Sequence, residues 1–170
     1  VGALYNGYIF GSGYKIYQVT LGVEQGFADT NGDYVKSALV GAVRVFKVDQ
    51  GTFTLASGYG YDPVTSTFYN YNGSTGLPSG DPITENAVKA FNDNLWYSVI
   101  NGVGTLVVSG FGVYDGSYYA ITNGVGVLAD TNGVPTLDTN DNTWYIFDDG
   151  NRSAADSGGM PMLASDGKYY

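Results

Sequence analysis

The fold is decided by the stretch Leu95-Trp96-Tyr97-Ser98-Val99-Ile100-Asn101-Gly102-Val103-Gly104-Thr105-Leu106-Val107-Val108-Ser109. An apolar, β-prone run ends at Asn101-Gly102, and a second run rich in valine and leucine follows it. Asn-Gly is the strongest short-range hairpin signal, because both residues accept the positive φ of a type I′ turn. Gly110-Phe111-Gly112 then breaks the run, and similar short runs continue to Ala129. This part of the chain therefore predicts a meander of short strands.

The same signals recur outside this stretch. Asn-Gly occurs six times, at Asn6-Gly7, Asn31-Gly32, Asn72-Gly73, Asn101-Gly102, Asn123-Gly124 and Asn132-Gly133. Further strand candidates are residues 14–23, 38–48, 52–56, 67–71, 143–147 and 167–170. The 26 glycines and 16 tyrosines suit twisted strands joined by tight turns. Regularly spaced short strands predict a mostly β fold, either an antiparallel β-sandwich of the jelly-roll type or a barrel.

One short helix is predicted near residues 82–93. Asp81 suits an N-cap, Pro82 suits the first helical position, and Glu85 lies in the first turn. The apolar residues near one helical face are Ile83, Ala87, Val88, Phe91 and Leu95. We expect this helix to cover one end or one face of the sheet.

The chain of 170 residues fits a single β domain at residues 14–170, preceded by an N-terminal arm at residues 1–13. The apolar residues of the arm are Leu4, Tyr5, Tyr8, Ile9 and Phe10. They precede Gly11-Ser12-Gly13, which we interpret as a hinge. Such an arm can add as a strand to the sheet edge of a neighbouring subunit, or it can pair within its own domain.

Three pairs of segments resemble each other. Ala28-Asp29-Thr30-Asn31-Gly32 recurs at 129–133, Asn101-Gly102-Val103-Gly104 at 123–126, and Ser57-Gly58-Tyr59-Gly60 as a similar sequence at 109–112. The spacings of 101, 22 and 52 residues suggest no single solenoid period. Reuse of turn chemistry explains the similarity as well as duplication does.

Composition excludes several classes of function. The chain has no cysteine and no histidine, so thiol catalysis, disulfides, thiolate zinc and histidine general bases are excluded. The net charge of -9 argues against nucleic-acid binding, because phosphate requires a basic face. No apolar run approaches the roughly 18 residues of a membrane span. The first residue, Val1, favours a processed, exported protein.

Two clusters of aspartate and asparagine are candidate calcium sites. The candidate ligands are Asp29, Asn31 and Asp33 in the first cluster, and Asp138, Asn140 and Asn142 in the second. Neither cluster is an EF-hand: in the first, Tyr34 replaces the required glycine and Val40 the bidentate glutamate. Hydrated Asx turns are the alternative interpretation. No other cofactor is predicted.

Surface aromatic rings are candidates for carbohydrate or partner contact. Tyr59, Tyr61, Tyr118 and Trp144 could stack on sugar rings while aspartate and asparagine bind the hydroxyls. Ordinary cross-strand packing explains the same residues. Two candidate N-glycosylation sites lie at Asn72 and Asn151.

These features predict a non-enzymatic, exported structural subunit. We expect it at the cell or virion surface or in the extracellular medium, assembling with copies of itself into a filament, a surface layer or a viral appendage. Assembly would proceed by strand addition and aromatic burial. The first alternative is a carbohydrate-binding or lectin-like module that binds glycans. The second is a glycoside hydrolase that uses a pair of carboxylates.

Overall fold

The structure is a computed structural model that describes residues 3–11, 15–39, 41–155, 163 and 167–168. In these residues the regular structure consists of short β-strands, without a helix. The strands are β1 Gly7–Phe10, β2 Ile16–Thr20, β3 Val23–Phe27, β4 Tyr34–Leu39, β5 Ala42–Asp49, β6 Thr52–Leu55, β7 Gly58–Tyr61, β8 Phe68–Asn72, β9 Leu77–Pro78, β10 Glu85–Lys89, β11 Trp96–Ile100, β12 Val103–Leu106, β13 Ser109–Tyr114, β14 Ser117–Thr122, β15 Val125–Leu128, β16 Thr136–Asp138, β17 Thr143–Asp148 and β18 Asn151–Ala154. Residues 12 and 13 of the predicted hinge lie outside the described residues. Of the predicted strand at 167–170, residues 167 and 168 are not in a strand, and residues 169 and 170 lie outside the described residues.

The described strands form six three-stranded meanders, numbered here sheet 1 (β1–β3) to sheet 6 (β16–β18). All the recorded pairings are antiparallel, so the mostly β, antiparallel prediction is confirmed. The sheets do not close into a barrel, because each contains only its own three consecutive strands. The predicted break at Gly110-Phe111-Gly112 is wrong, since β13 runs through it and pairs with β14 along its whole length.

The helix predicted near residues 82–93 is also wrong, because β10 occupies the middle of this segment. Ala87 has a φ of 49°, and the register between β10 and β11 shifts between Glu85 and Val88, which marks a β-bulge. The bulge lets the adjacent residues Ala87 and Val88 both be buried. Two consecutive buried residues interrupt the alternation of a strand, and this interruption produced the apparent helical period.

One sequence signature recurs in all six middle strands. Each contains an apolar or aromatic residue that we call the anchor, followed directly by an aromatic residue and, three positions after the anchor, by a buried residue. The anchors are Ile16, Val45, Phe68, Trp96, Tyr118 and Trp144. The aromatic residues are Tyr17, Phe46, Tyr69, Tyr97, Tyr119 and Tyr145, and the buried residues are Val19, Val48, Tyr71, Val99, Ile121 and Phe147. The middle strands begin at residues 16, 42, 68, 96, 117 and 143, so the repeat averages about 25 residues.

The chain divides into two compact units. The first comprises residues 1–83, 90–93 and 101–103, and the second comprises residues 84–89, 94–100 and 104–170. Sheets 1 to 3 lie in the first unit, and sheets 4 to 6 lie in the second apart from Val103 of β12.

Within each unit, consecutive sheets pack face to face. In the first unit the anchor Ile16 packs with Phe46 and Val48 of sheet 2, in one hydrophobic cluster. In the second unit the anchor Trp96 packs with Ile121 of sheet 5. Ile16 and Trp96 therefore face the following sheet of their own unit, and the residues one and three positions after the anchor of that following sheet face back toward them.

A closed ring of three backbone hydrogen bonds accompanies this packing. Ile16 N–H donates to the carbonyl of Gly51 (2.8 Å), Gly51 N–H to Ala28 (2.8 Å), and Ala28 N–H back to Ile16 (2.9 Å). Gly51 lies in the β5–β6 turn, so the ring ties sheet 1 to the hairpin of sheet 2. The same ring forms at Phe68, Ile83 and Gly102, at Trp96, Val107 and Gly124, and at Tyr118, Ala129 and Gly150.

Candidate interaction surface

The outer face of sheet 1 is the face opposite to Ile16, which packs on sheet 2. In each later sheet of a unit, the corresponding face packs against the anchor of the preceding sheet. Tyr17 lies on the outer face of sheet 1, because it follows the anchor Ile16 and strand residues alternate between faces. Its cross-strand partners are Ile9 on β1 and Phe27 on β3. Phe27 stays 57% exposed although its ring centroid lies 5.0 Å from that of Tyr17. This face is therefore an apolar, partly exposed surface.

The N-terminal arm contributes β1 to this sheet. Residues 7–10 pair with residues 16–19 of the same chain, and Tyr8 and Phe10 contact Phe46 and Phe53 of sheet 2. Leu4 and Tyr5 are exposed. The structure thus places Tyr8, Ile9 and Phe10 on a strand that is paired inside the chain, with Leu4 and Tyr5 before it. Addition of this strand to another subunit stays a prediction.

Tyr5 has a second role at the open end of the first unit. The Gly22 N–H donates to the Tyr5 carbonyl (2.8 Å), just as Gly51 N–H donates to Ala28. Gly22 lies in the β2–β3 turn, which corresponds to the β5–β6 turn that holds Gly51. Residues 3–5 therefore occupy the place that the end of a preceding repeat occupies elsewhere. Among the described residues, no N–H donates to the Gly22 carbonyl to complete the ring.

The far face of sheet 6 is the face turned away from sheet 5, and it carries an anchor. Tyr145 and Phe147 pack toward sheet 5, where the ring of Phe147 stacks on that of Phe111 at 4.3 Å. By alternation, Trp144 and Ile146 point to the other face, together with Leu137, which is paired with Trp144. Trp144 is the sixth anchor in the sequence, and in the earlier sheets the anchor is the residue that enters the next sheet.

The first calcium candidate is an ordered turn. Asp29 Oδ1 accepts the N–H of Asn31 (2.8 Å), and Thr30 Oγ1 bonds the backbone of Val48. Asp130, Thr131 and Asn132 repeat these contacts with the backbone of Phe147. No side-chain hydrogen bond of Asp33 is recorded, and its N–H donates to the Thr30 carbonyl. The described geometry is that of an Asx turn which ties one sheet to the next.

The second calcium candidate lies around a cation. Arg152 is sandwiched between the rings of Tyr118 (4.6 Å) and Tyr145 (3.9 Å), and it contacts Asp138 (3.5 Å) and Asp141 (3.1 Å). Asp138 is only 2% exposed, so Arg152 compensates a buried carboxylate.

The remaining ligands of this cluster serve other contacts. Asn140 N–H donates to Asp138 Oδ1, Asn140 Nδ2 donates to the Phe111 carbonyl, and Asn142 has a φ of 57° in the turn before β17. Among the described residues, no group of three acidic side chains is placed to hold a metal ion. Calcium binding stays a prediction.

The four aromatic residues predicted for carbohydrate contact are all half-buried. Tyr61 packs on Phe68 and its hydroxyl donates to Asp93, Tyr118 packs on Phe147 and Arg152, and Tyr59 and Trp144 lie on sheets 3 and 6. Tyr59 and Tyr61 share one face of β7 in the first unit, whereas Tyr118 and Trp144 lie on different sheets of the second unit. Their use in sugar binding stays a prediction.

The two glycosylation candidates are exposed residues at strand ends, Asn72 at the end of β8 and Asn151 at the start of β18. Asn72 Oδ1 accepts the Ser74 N–H (2.9 Å), while Asn151 Nδ2 donates to the Asp148 carbonyl (3.1 Å). Glu24 and Glu85, the glutamates considered for a hydrolase, are exposed on β3 and β10. Within the described residues, no helix is long and apolar enough to cross a membrane.

Sequence reasoning missed Phe27 and the two glycines that receive Trp96. A Cβ at Gly112 or Gly126 would come within 2.3 Å of the Trp96 indole, so glycine is required at both positions. The signal that could have found them is the alignment of the six middle strands on their anchors. Comparison with protein-family models and with curated proteins finds no match for this chain.

Proposed function

We propose that the chain is a non-enzymatic structural subunit which associates with copies of itself outside the cell. The far face of sheet 6 in one copy packs on the outer face of sheet 1 in the next. Copies of the chain thereby continue, from one molecule to another, the stacking that each unit already contains. The observation that carries this proposal is the partly exposed face of Ile9, Tyr17 and Phe27 on the side where later sheets receive an anchor.

The chemistry of the two faces supports the match. The incoming face offers Trp144, Ile146 and Leu137, and an aromatic anchor such as Trp96 is the residue that packs on the next sheet inside the second unit. Burying one large apolar side chain contributes about 1.5–3 kcal/mol, so a few such contacts reach the range of a specific association. The Gly22 carbonyl adds an acceptor, which the backbone N–H of an incoming repeat would satisfy.

The two faces are different surfaces, so the contact is heterologous. Heterologous contacts produce rings when the rotation closes and open filaments when it does not. This contact does not require the N-terminal strand, which in the structure is paired with β2 and packs on sheet 2 through Tyr8 and Phe10; addition of that strand to a neighbouring subunit stays a prediction. Extracellular location and the choice among filament, surface layer and viral appendage are part of the proposal.

Sedimentation velocity over a concentration series tests this function. The wild-type chain is expected to form dimers and larger species as its concentration rises, and Phe27→Asp is expected to stay monomeric. Val64→Asp is the matched control, because Val64 is 72% exposed in a loop between β7 and β8 and belongs to neither of the two faces. A wild-type chain that stays monomeric, or association that Phe27→Asp leaves unchanged, contradicts the proposal.

A further inference from the structure

A polar hollow of about 690 Å³ lies in the first unit, at the β5–β6 hairpin. It is lined by Lys15, Asn31, Gly32, Lys47, Asp49, Gln50, Thr52 and Thr54. Lys47 pairs across the sheet with Thr54, and Asp49 with Thr52, so these four side chains share one face. Lys15 precedes β2 and Asn31 follows β3, so both reach the hairpin from the same end of sheet 1, where Tyr17 pairs with Phe27.

Two lysines line this hollow. Lys15 Nζ donates to Thr52 Oγ1 (2.8 Å) and lies 6.0 Å from the centroid of Phe27. Lys47 Nζ lies 5.7 Å from the centroid of Tyr34. Among the described residues, the ion pairs involve Lys36 and Arg152; neither of these lysines forms one, although Asp49 also lines the hollow. Two of the seven basic residues of an acidic chain therefore line one hollow without an ion-pair partner.

The rest of the lining selects the class of ligand. Threonine hydroxyls and the side-chain amides of Asn31 and Gln50 donate to and accept from hydroxyl groups, and Asp49 accepts from them. An ammonium group on a flexible stem binds an anion as a point charge. The hollow is much larger than a bare anion, and its lining is more polar than apolar, which favours a hydroxyl-rich ligand over an aromatic or lipid one. A ligand that carries both carboxylates and many hydroxyls fits all of these features.

We propose that this hollow binds an acidic saccharide, with its carboxylate held by Lys15 and Lys47 and its hydroxyls bound by the neutral side chains. This site uses none of the aromatic residues that the sequence suggested for sugar contact. Binding at this site does not require a second copy of the chain, because the hollow lies within the first unit.

Isothermal titration calorimetry with trigalacturonate tests this site. The double variant Lys15→Gln/Lys47→Gln is expected to bind at least tenfold more weakly than the wild type. Lys89→Gln is the matched control, since Lys89 also lies over an aromatic ring, that of Tyr114 at 4.6 Å, but lies outside the hollow. The neutral trisaccharide maltotriose and inorganic sulfate are both expected to bind at least tenfold more weakly than trigalacturonate.

Four results would overturn the inference. They are no binding of trigalacturonate at millimolar concentration, equal binding of maltotriose or sulfate, an unchanged affinity in the double variant, or an equal loss in Lys89→Gln. Should the double variant not fold, NMR on the wild type decides instead. Trigalacturonate must then shift the amide resonances of Thr52 and Thr54, and shifts confined to other residues count against the site.

Discussion

The indole of Trp96 occupies the space above Gly126, so closely that a Cβ at Gly126 would lie 2.3 Å from Trp96 Nε1. Gly112, on β13 at the other edge of sheet 5, meets the other end of the same ring system. Trp96 is buried at 1% exposure. The two glycines thus leave the space that the Trp96 side chain fills on sheet 5. This is how an anchor packs on the following sheet within the second unit.

Gly126→Ala is expected to lower the free energy of unfolding by about 1–3 kcal/mol, because the new methyl group has to displace a buried indole. Urea unfolding followed by tryptophan fluorescence measures the change. Gly80→Ala is the control, since a Cβ there meets nothing within 4 Å. A stability of Gly126→Ala equal to that of Gly80→Ala would contradict the packing described for Trp96.

Tyr71→Phe is expected to be neutral or stabilising. The Tyr71 hydroxyl is buried and has no hydrogen-bond partner among the described residues, so the side chain carries the desolvation cost of a polar group without compensation. Thermal unfolding of the variant should therefore give a Tm equal to or above that of the wild type. A Tm several degrees lower would show that the hydroxyl has a partner.

Burial, followed by the charge of Asp62 and by Tyr69, raises the pKa of Tyr71 well above its ordinary value. The folded chain therefore keeps this proton at a pH where the unfolded chain releases it. Stability is expected to fall as the pH rises through about 10, the ordinary tyrosine value. The fall should be smaller in Tyr71→Phe, as measured by urea unfolding at several alkaline pH values. An equal fall in both proteins would assign the alkaline loss to other groups.

Because of Asp62, the free energy of unfolding is expected to fall at acid pH. Burial alone raises its pKa, but the hydrogen bonds from Lys36 (2.5 Å) and from the backbone N–H groups of Val64 and Thr65 outweigh burial and lower the pKa below 3.8. The contribution of Asp62 to stability is therefore complete above 3.8, the ordinary aspartate pKa, and it is lost as the pH falls through the lower pKa of the folded state.

Asp62→Asn should therefore cost about 1–3 kcal/mol near pH 6, and less near pH 3. Urea unfolding at the two pH values gives the comparison. Asp81→Asn, at an exposed position, is the control. An equal loss of stability in Asp62→Asn at both pH values would mean that the loss comes from altered packing and not from removal of the carboxylate charge.

Arg152→Ala is expected to destabilise the second unit by about 1–3 kcal/mol, because it leaves the carboxylate of Asp138 buried without its cation. Arg152→Lys should recover part of the loss, since an ammonium keeps the charge but cannot stack as a plane between two tyrosines. Thermal unfolding measures both variants, with Lys89→Ala as a control that removes a cation without a carboxylate partner. Equal stability of Arg152→Ala and Lys89→Ala would contradict a stabilising ion pair between Arg152 and Asp138.

The strands of the meander could be predicted from the sequence because Asn-Gly and Asp-Gly specify the turns. Residues 96–100, 117–122 and 125–128 form strands close to the predicted bounds, with Asn101, Asp115 and Asn123 at φ values of 48°, 50° and 49°. The repeat was hidden by its irregular length. The three spacings of 101, 22 and 52 residues correspond to four, one and two repeats of about 25 residues, and sheet 3 carries two extra residues between Tyr71 and Gly76.

The sites were less predictable, for physical reasons. Acidic turns such as Asp29-Thr30-Asn31 have the composition of a cation loop, yet their oxygens accept backbone N–H groups in the same turn. The lysine hollow joins Lys15 to Thr52 across 37 positions of sequence, a contact that only the stacking of sheets creates. The open face of sheet 1 likewise depends on which sheet lies beside it.

The most direct measurement of the central claim is a disulfide-trapping experiment, which is clean because the natural chain contains no cysteine. Ile9→Cys marks the outer face of sheet 1, and Ile146→Cys marks the far face of sheet 6. The two variants, mixed under mild oxidation, are expected to form a crosslinked dimer that neither variant forms alone, and that Val64→Cys does not form with either. Crosslinking that is absent from the mixture, or equally strong within each variant alone, would contradict end-to-end stacking.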